Sequence, residues 1–322
     1  MLRKILVALA GLLGIAIAGF AIYVAARQHL TFDAPYPHVR ASTESGVIAR
    51  GHYLVRVAAN CTICHGDPAQ LASTMTGAEV PLSGGFYWAI PPGTFYARNI
   101  TPDSETGIGR IADSAIARAL RYGVGHDGRA LLPFMEFQAF SDEDLVAVIS
   151  YLRSQPPVRN VVPPHRWTML GRVVRATVLA NPVGPKQTPP VTSPRGATVE
   201  NGRYLAEAAV HCVSCHTERN LNTGTLTGPP YGGATVFKEE SDPGHVWAPP
   251  NITSDPETGR LGRMSEDEFL ARFRVGRLLP GSPMPWQGFQ KMPDEDLRAI
   301  YRFLKTVPAV RRDVGPPVRD AK

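Results

Sequence analysis

Cysteine is scarce in this chain: 322 residues contain only four. A scaffold held together mainly by disulfides is therefore excluded. No block of consecutive Lys or Arg occurs, and the excess of 34 basic over 28 acidic residues, a net +6, is scattered along the sequence. Nucleic acid is therefore not an expected partner, while an anionic protein or membrane surface is compatible with the charge. No carboxylate pair, no Ser/His/Asp set and no glycine-rich phosphate loop stands out, so no catalytic site of its own is expected. After the first 26 residues no apolar run is long enough to cross a bilayer again. Proline and glycine are plentiful, 30 of each, which points to short elements joined by long, structured loops.

The N-terminus carries the long apolar run. Arg3 and Lys4 precede an uncharged stretch from Ile5 to Ala26. About 20 such residues span a membrane as a helix, whereas a secretory signal has an apolar core of roughly 7–15. The length favours an uncleaved anchor over residues 1–28. Ala16-Ile17-Ala18 keeps the alternative of a cleaved signal open. The two leading cations hold the start of the chain in the cytoplasm, which places everything from about Arg27 onward outside.

All four cysteines fall in two copies of one motif, Cys61-Thr-Ile-Cys64-His65 and Cys212-Val-Ser-Cys215-His216. Disulfides, a zinc site and thioredoxin-like redox pairs are the competing uses. The histidine directly after each second cysteine decides among them. Covalent haem attachment needs two thiols for thioether bonds and an adjacent imidazole as proximal iron ligand, whereas zinc would not require histidine there twice. A thioredoxin motif would need a surrounding βαβ pattern, which is absent from the sequence.

The motifs head two similar segments. "RGHYLVRVAANCTICH" from Arg50 matches "NGRYLAEAAVHCVSCH" from Asn201. "RNITPDSETG" from Arg98 matches "PNITSDPETG" from Pro250, and "SDEDLVAVISYLRSQPPV" from Ser141 matches "PDEDLRAIYRFLKTVPAV" from Pro293. This predicts an all-α chain of two tandem domains, 42–157 and 197–310, separated by a proline-rich linker over 158–196 and followed by a tail over 311–322. Asn181 to Gly196 should be extended. Arg166 to Ala180 reads as a short amphipathic helix, expected to pack across the domain interface.

Leu54, Val57, Ala58 and Cys61, like Leu205, Ala208, Ala209 and Cys212, recur at helical spacing and predict a helix delivering each motif. Gly51 and Gly202 inside those helices imply a close crossing partner. The last helix of each repeat is the candidate, with Leu145, Val148, Ile149 and Leu152 on one and Leu297, Ile300, Tyr301 and Leu304 on the other. A middle helix begins near Asp113 in the first repeat and behind a capping box, Ser265 with Glu268, in the second. Gly123 and Gly276 are its expected C-caps.

A proximal histidine leaves one axial iron position. Met135 in "LLPFMEF" and Met284 in "GSPMPWQGF" occupy equivalent, proline-flanked loops, with Phe140 and Phe289 following at the same offset. Both are expected distal ligands, Met292 and His126 being the rivals. His29, His38, His52, His165, His211 and His245 are expected not to bind iron. The Asn-Ile-Thr loops carry Asp103, Glu105, Asp255 and Glu257, and read as hydrogen-bonded turns rather than calcium loops.

The order Cys-x-x-Cys-His, Asn99-Ile-Thr-Pro-Asp103, Pro/Met loop and Asp-Glu-Asp-Leu resembles class I cytochrome c domains. More narrowly, it is similar to the membrane-bound cytochrome c subunits of bacterial alcohol, aldehyde and gluconate dehydrogenases, over almost the whole exported part. The resemblance implies two covalently attached haem c groups. Cys61, Cys64, Cys212 and Cys215 would form the thioethers, with His65 and His216 proximal and Met135 and Met284 distal. It implies a dehydrogenase catalytic subunit as electron donor, and quinone or another cytochrome as acceptor. It also implies a bacterial inner-membrane location with the haem domains in the periplasm. Many such subunits carry three haem motifs; the two found here shift the expectation from quinone towards a soluble acceptor. Arg98 stands where a proline is common. The alternatives are a self-contained dihaem enzyme, such as a peroxidase or thiosulfate oxidiser, and the cytochrome arm of a terminal oxidase or nitric oxide reductase.

Overall fold

The computed structural model describes residues 1–220, 225–238 and 244–321. Helix α1 (Leu2–Arg27) has no buried residue. The first repeat contains α2 (Ser45–Tyr53), α3 (Thr62–His65), α4 (Leu71–Met75), the hairpin β1 (Tyr87–Ile90) and β2 (Gly93–Tyr96), α5 (Asp113–Tyr122) and α6 (Asp142–Ser154). Strand β3 (Arg166–Trp167) and helix α7 (Met169–Thr177) follow. The second repeat contains α8 (Val199–Tyr204), α9 (Cys212–Cys215), β4 (Phe237–Lys238), β5 (His245–Trp247), α10 (Glu266–Val275), α11 (Trp286–Phe289) and α12 (Asp294–Thr306), and β6 (Val318–Asp320) comes last.

The molecule is helix-rich, but the all-α expectation needs correction. Two small antiparallel sheets are present, ordered β1-β2-β3 and β4-β5-β6. Tyr87 lies opposite Tyr96, Gly93 opposite Trp167, and Trp247 opposite both Phe237 and Val318. Strands of two to four residues are too short to show alternation. The third strand of each sheet arrives from beyond the last helix of its repeat, from residues that read as linker and tail.

The close crossing expected at the two glycines is present. A Cβ on Gly51 would sit 1.9 Å from Ala147 O on α6, and one on Gly202 would sit 1.9 Å from Ala299 O on α12. Only glycine lets the backbones approach this closely. Around these crossings lies a continuous apolar core that includes Leu54, Leu145, Ile149, Leu205, Leu297 and Ile300.

Helix starts follow their caps. The Ser141 side chain accepts from Asp144 N at the head of α6. The next exposed donors are met by the linker: Asp142 N donates to Pro190 O and Glu143 N to Val191 O. Helix α5 ends at Gly123 with φ 61°, as its C-cap should. Helix α10 opens with the full Ser265/Glu268 capping box and is followed by Gly276, φ 75°. Ser265→Ala should therefore destabilise the protein by about 1 kcal/mol in equilibrium urea unfolding.

Helix α7 forms where the sequence placed it but not in the role assigned to it. Rather than bridging the repeats, it packs against α1 and the β1–β2 turn. Thr168 N donates to Pro92 O at 3.0 Å, a Cβ on Gly171 would meet that same oxygen at 2.0 Å, and Arg27 Nε donates to Ala176 O at 3.3 Å. The short residue at 171 lets the helix seat against this turn.

Candidate cofactor-attachment sites

Each cysteine motif is delivered by an interrupted helix. After α2 the chain widens into a π-helical turn, Leu54–Ala58, and after α8 into Leu205–Ala209. Ala59 N reaches back to Leu54 O and Val210 N to Leu205 O, both at 2.8 Å. The next residue but one takes a left-handed conformation: Asn60 at φ 52° and His211 at φ 58°. The continuous helix predicted from Leu54 to Cys61 is thus broken just before the first thiol. The apolar spacing at 54, 57 and 58 could not reveal this, because π and α turns bury the same face over five residues.

The motif itself is one tight turn in both repeats. His65 N donates to Cys61 O at 2.8 Å and His216 N to Cys212 O at 2.9 Å. Such a turn puts thiols at i and i+3 and an imidazole at i+4 on one side, the donor set that a doubly tethered porphyrin requires.

Both imidazoles are oriented from behind. His65 Nδ1 lies 2.8 Å from Arg98 O, and His216 Nδ1 lies 2.8 Å from Pro250 O. A carbonyl can only accept, so Nδ1 carries the proton and Nε2 keeps its lone pair, the arrangement found behind metal-bound histidine. Desolvation holds both rings below the ordinary histidine value, with the carbonyl hydrogen bond opposing it. They are therefore neutral at pH 7. Arg98, the departure in the first repeat, uses its main-chain oxygen as Pro250 does. Its guanidinium turns away and donates to Val162 O and Pro163 O.

The main chain of each histidine is fixed as well. Gly84 N donates to His65 O and Gly233 N to His216 O, both at 2.8 Å. Both glycines have positive φ, 73° and 83°. A Cβ at Gly84 would lie 2.5 Å from Arg98 C, and one at Gly233 would lie 2.7 Å from Asn251 N. These two residues complete the histidine support, and sequence reasoning missed them. The signal was there: "SGGF" and "YGGA" are Gly-Gly pairs at corresponding places, ahead of the Asn-Ile-Thr loops.

The Asn-Ile-Thr loops brace the carbonyls behind the histidines. Asn99 Oδ1 accepts from Thr101 N and Oγ1, while its Nδ2 donates to Val158 O. Asn251 repeats this with Thr253 and Val310 O. Asp103 Oδ1 accepts from Glu105 N, Thr106 N and Thr106 Oγ1. Asp255 Oδ1 does so from Glu257 N, Thr258 N and Thr258 Oγ1. Among the described residues, no three or more His, Cys, Asp or Glu side chains are arranged to hold an ion. The four cysteines are therefore not gathered in one place. Desolvation, with the neighbouring cysteine, pushes the Cys61 and Cys212 thiols up to about 12.

The two methionine loops are placed across the repeats. Met284 borders the apolar core, as do Cys61 and Cys212; Met135 is half-buried outside that cluster. Arg277 Nη2 donates to Met284 O and Gln287 Oε1, and Arg272 lies 3.8 Å over the Trp286 ring. A Cβ on Gly288, just past Met284, would meet Asn60 Nδ2 of the first repeat at 2.2 Å. Reciprocally, Phe137, just past Met135, stacks edge-on with His211 at 5.1 Å, and Glu136 accepts from Ser214 of the second motif. Met292 is buried in the core. Each methionine loop therefore presses on the cysteine segment of the other repeat.

The repeats are joined by a reciprocal pair of contacts, one half-buried and one buried. Tyr53 OH donates to Asp296 Oδ2 at 2.6 Å, and Tyr204 OH donates to Asp144 Oδ2 at 2.7 Å. Asp144 is fully buried, and Arg50 grips it with both Nε and Nη2 at 2.8 Å. Asp296 has Asn201 in the corresponding place, at 3.0 Å.

No protein-family model matches the chain. Its homologues, at about 30% identity over most of its length, are cytochrome c subunits of alcohol, gluconate and fructose dehydrogenases and a dihaem cytochrome c. It is 32% identical over 83% of its length to the cytochrome c subunit of the quinone alcohol dehydrogenase of Gluconobacter oxydans, covering 56% of that protein. It is 31% identical over 82% of its length to the gluconate 2-dehydrogenase cytochrome c subunit of Pantoea cypripedii, covering 60%. A diheme cytochrome c-type protein of Cereibacter sphaeroides is 28% identical over 79% of this chain and 83% of its own. The chain thus spans little more than half the length of the dehydrogenase-subunit relatives above.

Proposed function

We propose that this chain is a dihaem c-type cytochrome with two class I haem domains. It would take electrons from a dehydrogenase catalytic subunit and pass them to quinone or another cytochrome of the respiratory chain. In this reading residues 1–28 anchor it in the bacterial inner membrane, and the units 42–157 and 197–310 lie in the periplasm, joined by the 158–196 linker. The 311–322 tail returns to the second unit through β6, as the linker returns to the first through β3. The observation that carries the reading is the duplicated histidine support: in both repeats a carbonyl holds Nδ1 and a left-handed glycine holds the main-chain oxygen.

Iron porphyrin, when bound, supplies one-electron chemistry. The chain's residues do the rest. Cys61, Cys64, Cys212 and Cys215 tether it. His65 and His216 offer a neutral Nε2. Met135 and Met284 would supply thioether sulfur to the iron, a ligand type that raises the potential and leaves no position for small molecules. The reciprocal Tyr–Asp contacts would keep the two units at a fixed separation, and the net charge of +6 favours an acidic docking partner.

Pyridine haemochrome assay of purified protein should give two porphyrins per chain, and Cys64→Ala should bring the value to one. Free thiols in the mature wild type would refute the reading. Met284→Ala should raise carbon monoxide binding from about zero to about one per chain and lower that haem's potential. Copurification from mildly solubilised membranes should bring down a dehydrogenase subunit; an oxidase in its place would transfer the proposal to the oxidase-arm alternative.

A further inference from the structure

We infer that α7 is a second membrane contact. It would lie in the headgroup region of an anionic bilayer, beside the end of α1, and set the tilt of the first repeat on the membrane. The inference rests on the reading of α1 as a retained anchor. Its observations are otherwise independent of the haem sites.

Position comes first. Helix α1 has 26 residues, or roughly 39 Å at about 1.5 Å per residue, against roughly 30 Å of hydrocarbon. The excess of roughly 9 Å is shared between the two ends, so about the last turn emerges at the interface, and α7 packs against α1 there. Arg27 bonds the Ala176 carbonyl and lies 5.3 Å over the Tyr23 ring. Whatever depth α1 takes, α7 is carried to the same surface.

Composition comes second. Met169 is 74% exposed, Leu170 52% and Val178 67%. Leu170, near the start of α7, and Val178, just past its end, are exposed, while Gly171, which faces the β1–β2 turn, and Ala176 are buried. Arg166 in β3 and Arg172 in α7 are exposed as well. Trp167 stacks under Arg175 at 4.8 Å, an amphipathic ring at the level where such rings collect.

Charge comes third, and it chooses the occupant. Residues 158–196 contain six cations, Arg159, Arg166, Arg172, Arg175, Lys186 and Arg195, and no Asp or Glu. Arg159 and Arg195 pair with Glu105 and Glu143, so the excess near α7 rests on Arg166, Arg172, Arg175 and Lys186. Exposed apolar side chains among cations, on a helix next to a span, suit the interface of an anionic bilayer.

The test uses the full haem-loaded chain in nanodiscs of phosphatidylglycerol and phosphatidylcholine. A benzophenone amino acid replaces Leu170, Val178 or Leu12, and photoproducts are read by mass spectrometry. Lipid adducts are expected at all three positions. Yield at 170 and 178 should fall about threefold or more when phosphatidylcholine alone is used, while that at 12 stays constant. Lipid adducts at 12 without any at 170 and 178 would overturn the inference and leave the anchor intact. Adducts at 170 and 178 to protein only would make this face a subunit interface and overturn it too. No lipid adduct at 12 would bring down the anchor reading and this inference together.

Discussion

Gly202→Ala should destabilise the haem-loaded protein by about 3 kcal/mol in urea unfolding, and Gly51→Ala by a similar amount. The added carbon at 202 would lie 1.9 Å from Ala299 O, 2.4 Å from Ala299 C and 2.8 Å from Phe303 Cβ. At 51 it would lie 1.9 Å from Ala147 O and 2.7 Å from Tyr151 Cβ. These are mostly main-chain atoms of a packed helix, so no rotamer change relieves the clash. The whole of α12 or α6 would have to retreat by more than an ångström, opening the core along its length. Gly46→Ala is the control. It lies in the same helix as Gly51 with nothing within 4 Å, and should stabilise by about 0.5–1 kcal/mol through helix propensity. Equal behaviour of the 46 and 51 variants would contradict the crossing.

Asp144→Ala should cost about 3–5 kcal/mol, against about 1 kcal/mol for Asp296→Ala. The two carboxylates are equivalent in sequence and each receives a tyrosine from the other repeat. They differ in their second partner. Removing Asp144 leaves the Arg50 guanidinium, only 17% exposed, without its fork partner; removing Asp296 leaves the neutral Asn201 amide. The pair also predicts a pH dependence. Burial alone would raise the Asp144 carboxyl, but the hydrogen bonds and charge of Arg50, with the hydroxyl of Tyr204, hold it below its ordinary value. A carboxyl lowered in the folded state stabilises above its unfolded value, near 4, and loses that contribution as pH falls through the folded value. Acid unfolding below about pH 4 should therefore be shallower in Asp144→Asn than in the wild type. An unchanged profile would remove Asp144 from the account.

What the sequence made legible was what repeats. Two copies of each segment exposed the helical stripes, the crossing glycines and the capping box, because each depends on local residue type and spacing. The histidines and their supporting loops were readable for the same reason. What stayed hidden depends on partners distant in the chain. The strands β3 and β6 each add two or three residues to a sheet begun some eighty residues earlier, and no local pattern marks them. The π turns are equally silent, since a five-residue window buries the same side chains either way. Asn60 and His211 were passed over because their side chains differ. What they share is a left-handed backbone, which asparagine and histidine tolerate better than most residues. The placement of α7 was misread because its amphipathicity announces a surface without saying which one.

The crossed contacts between the halves have an architectural consequence. Tyr53 reaches Asp296 as Tyr204 reaches Asp144, and each methionine loop leans on the opposite cysteine segment. That reciprocity is the signature of an isologous twofold assembly, here fused into one polypeptide by its proline-rich tether. Covalent continuity at the tether adds local concentration rather than complementarity. A break there would leave two fragments whose faces still match, and neither fragment alone could satisfy the tyrosine and carboxylate it would expose.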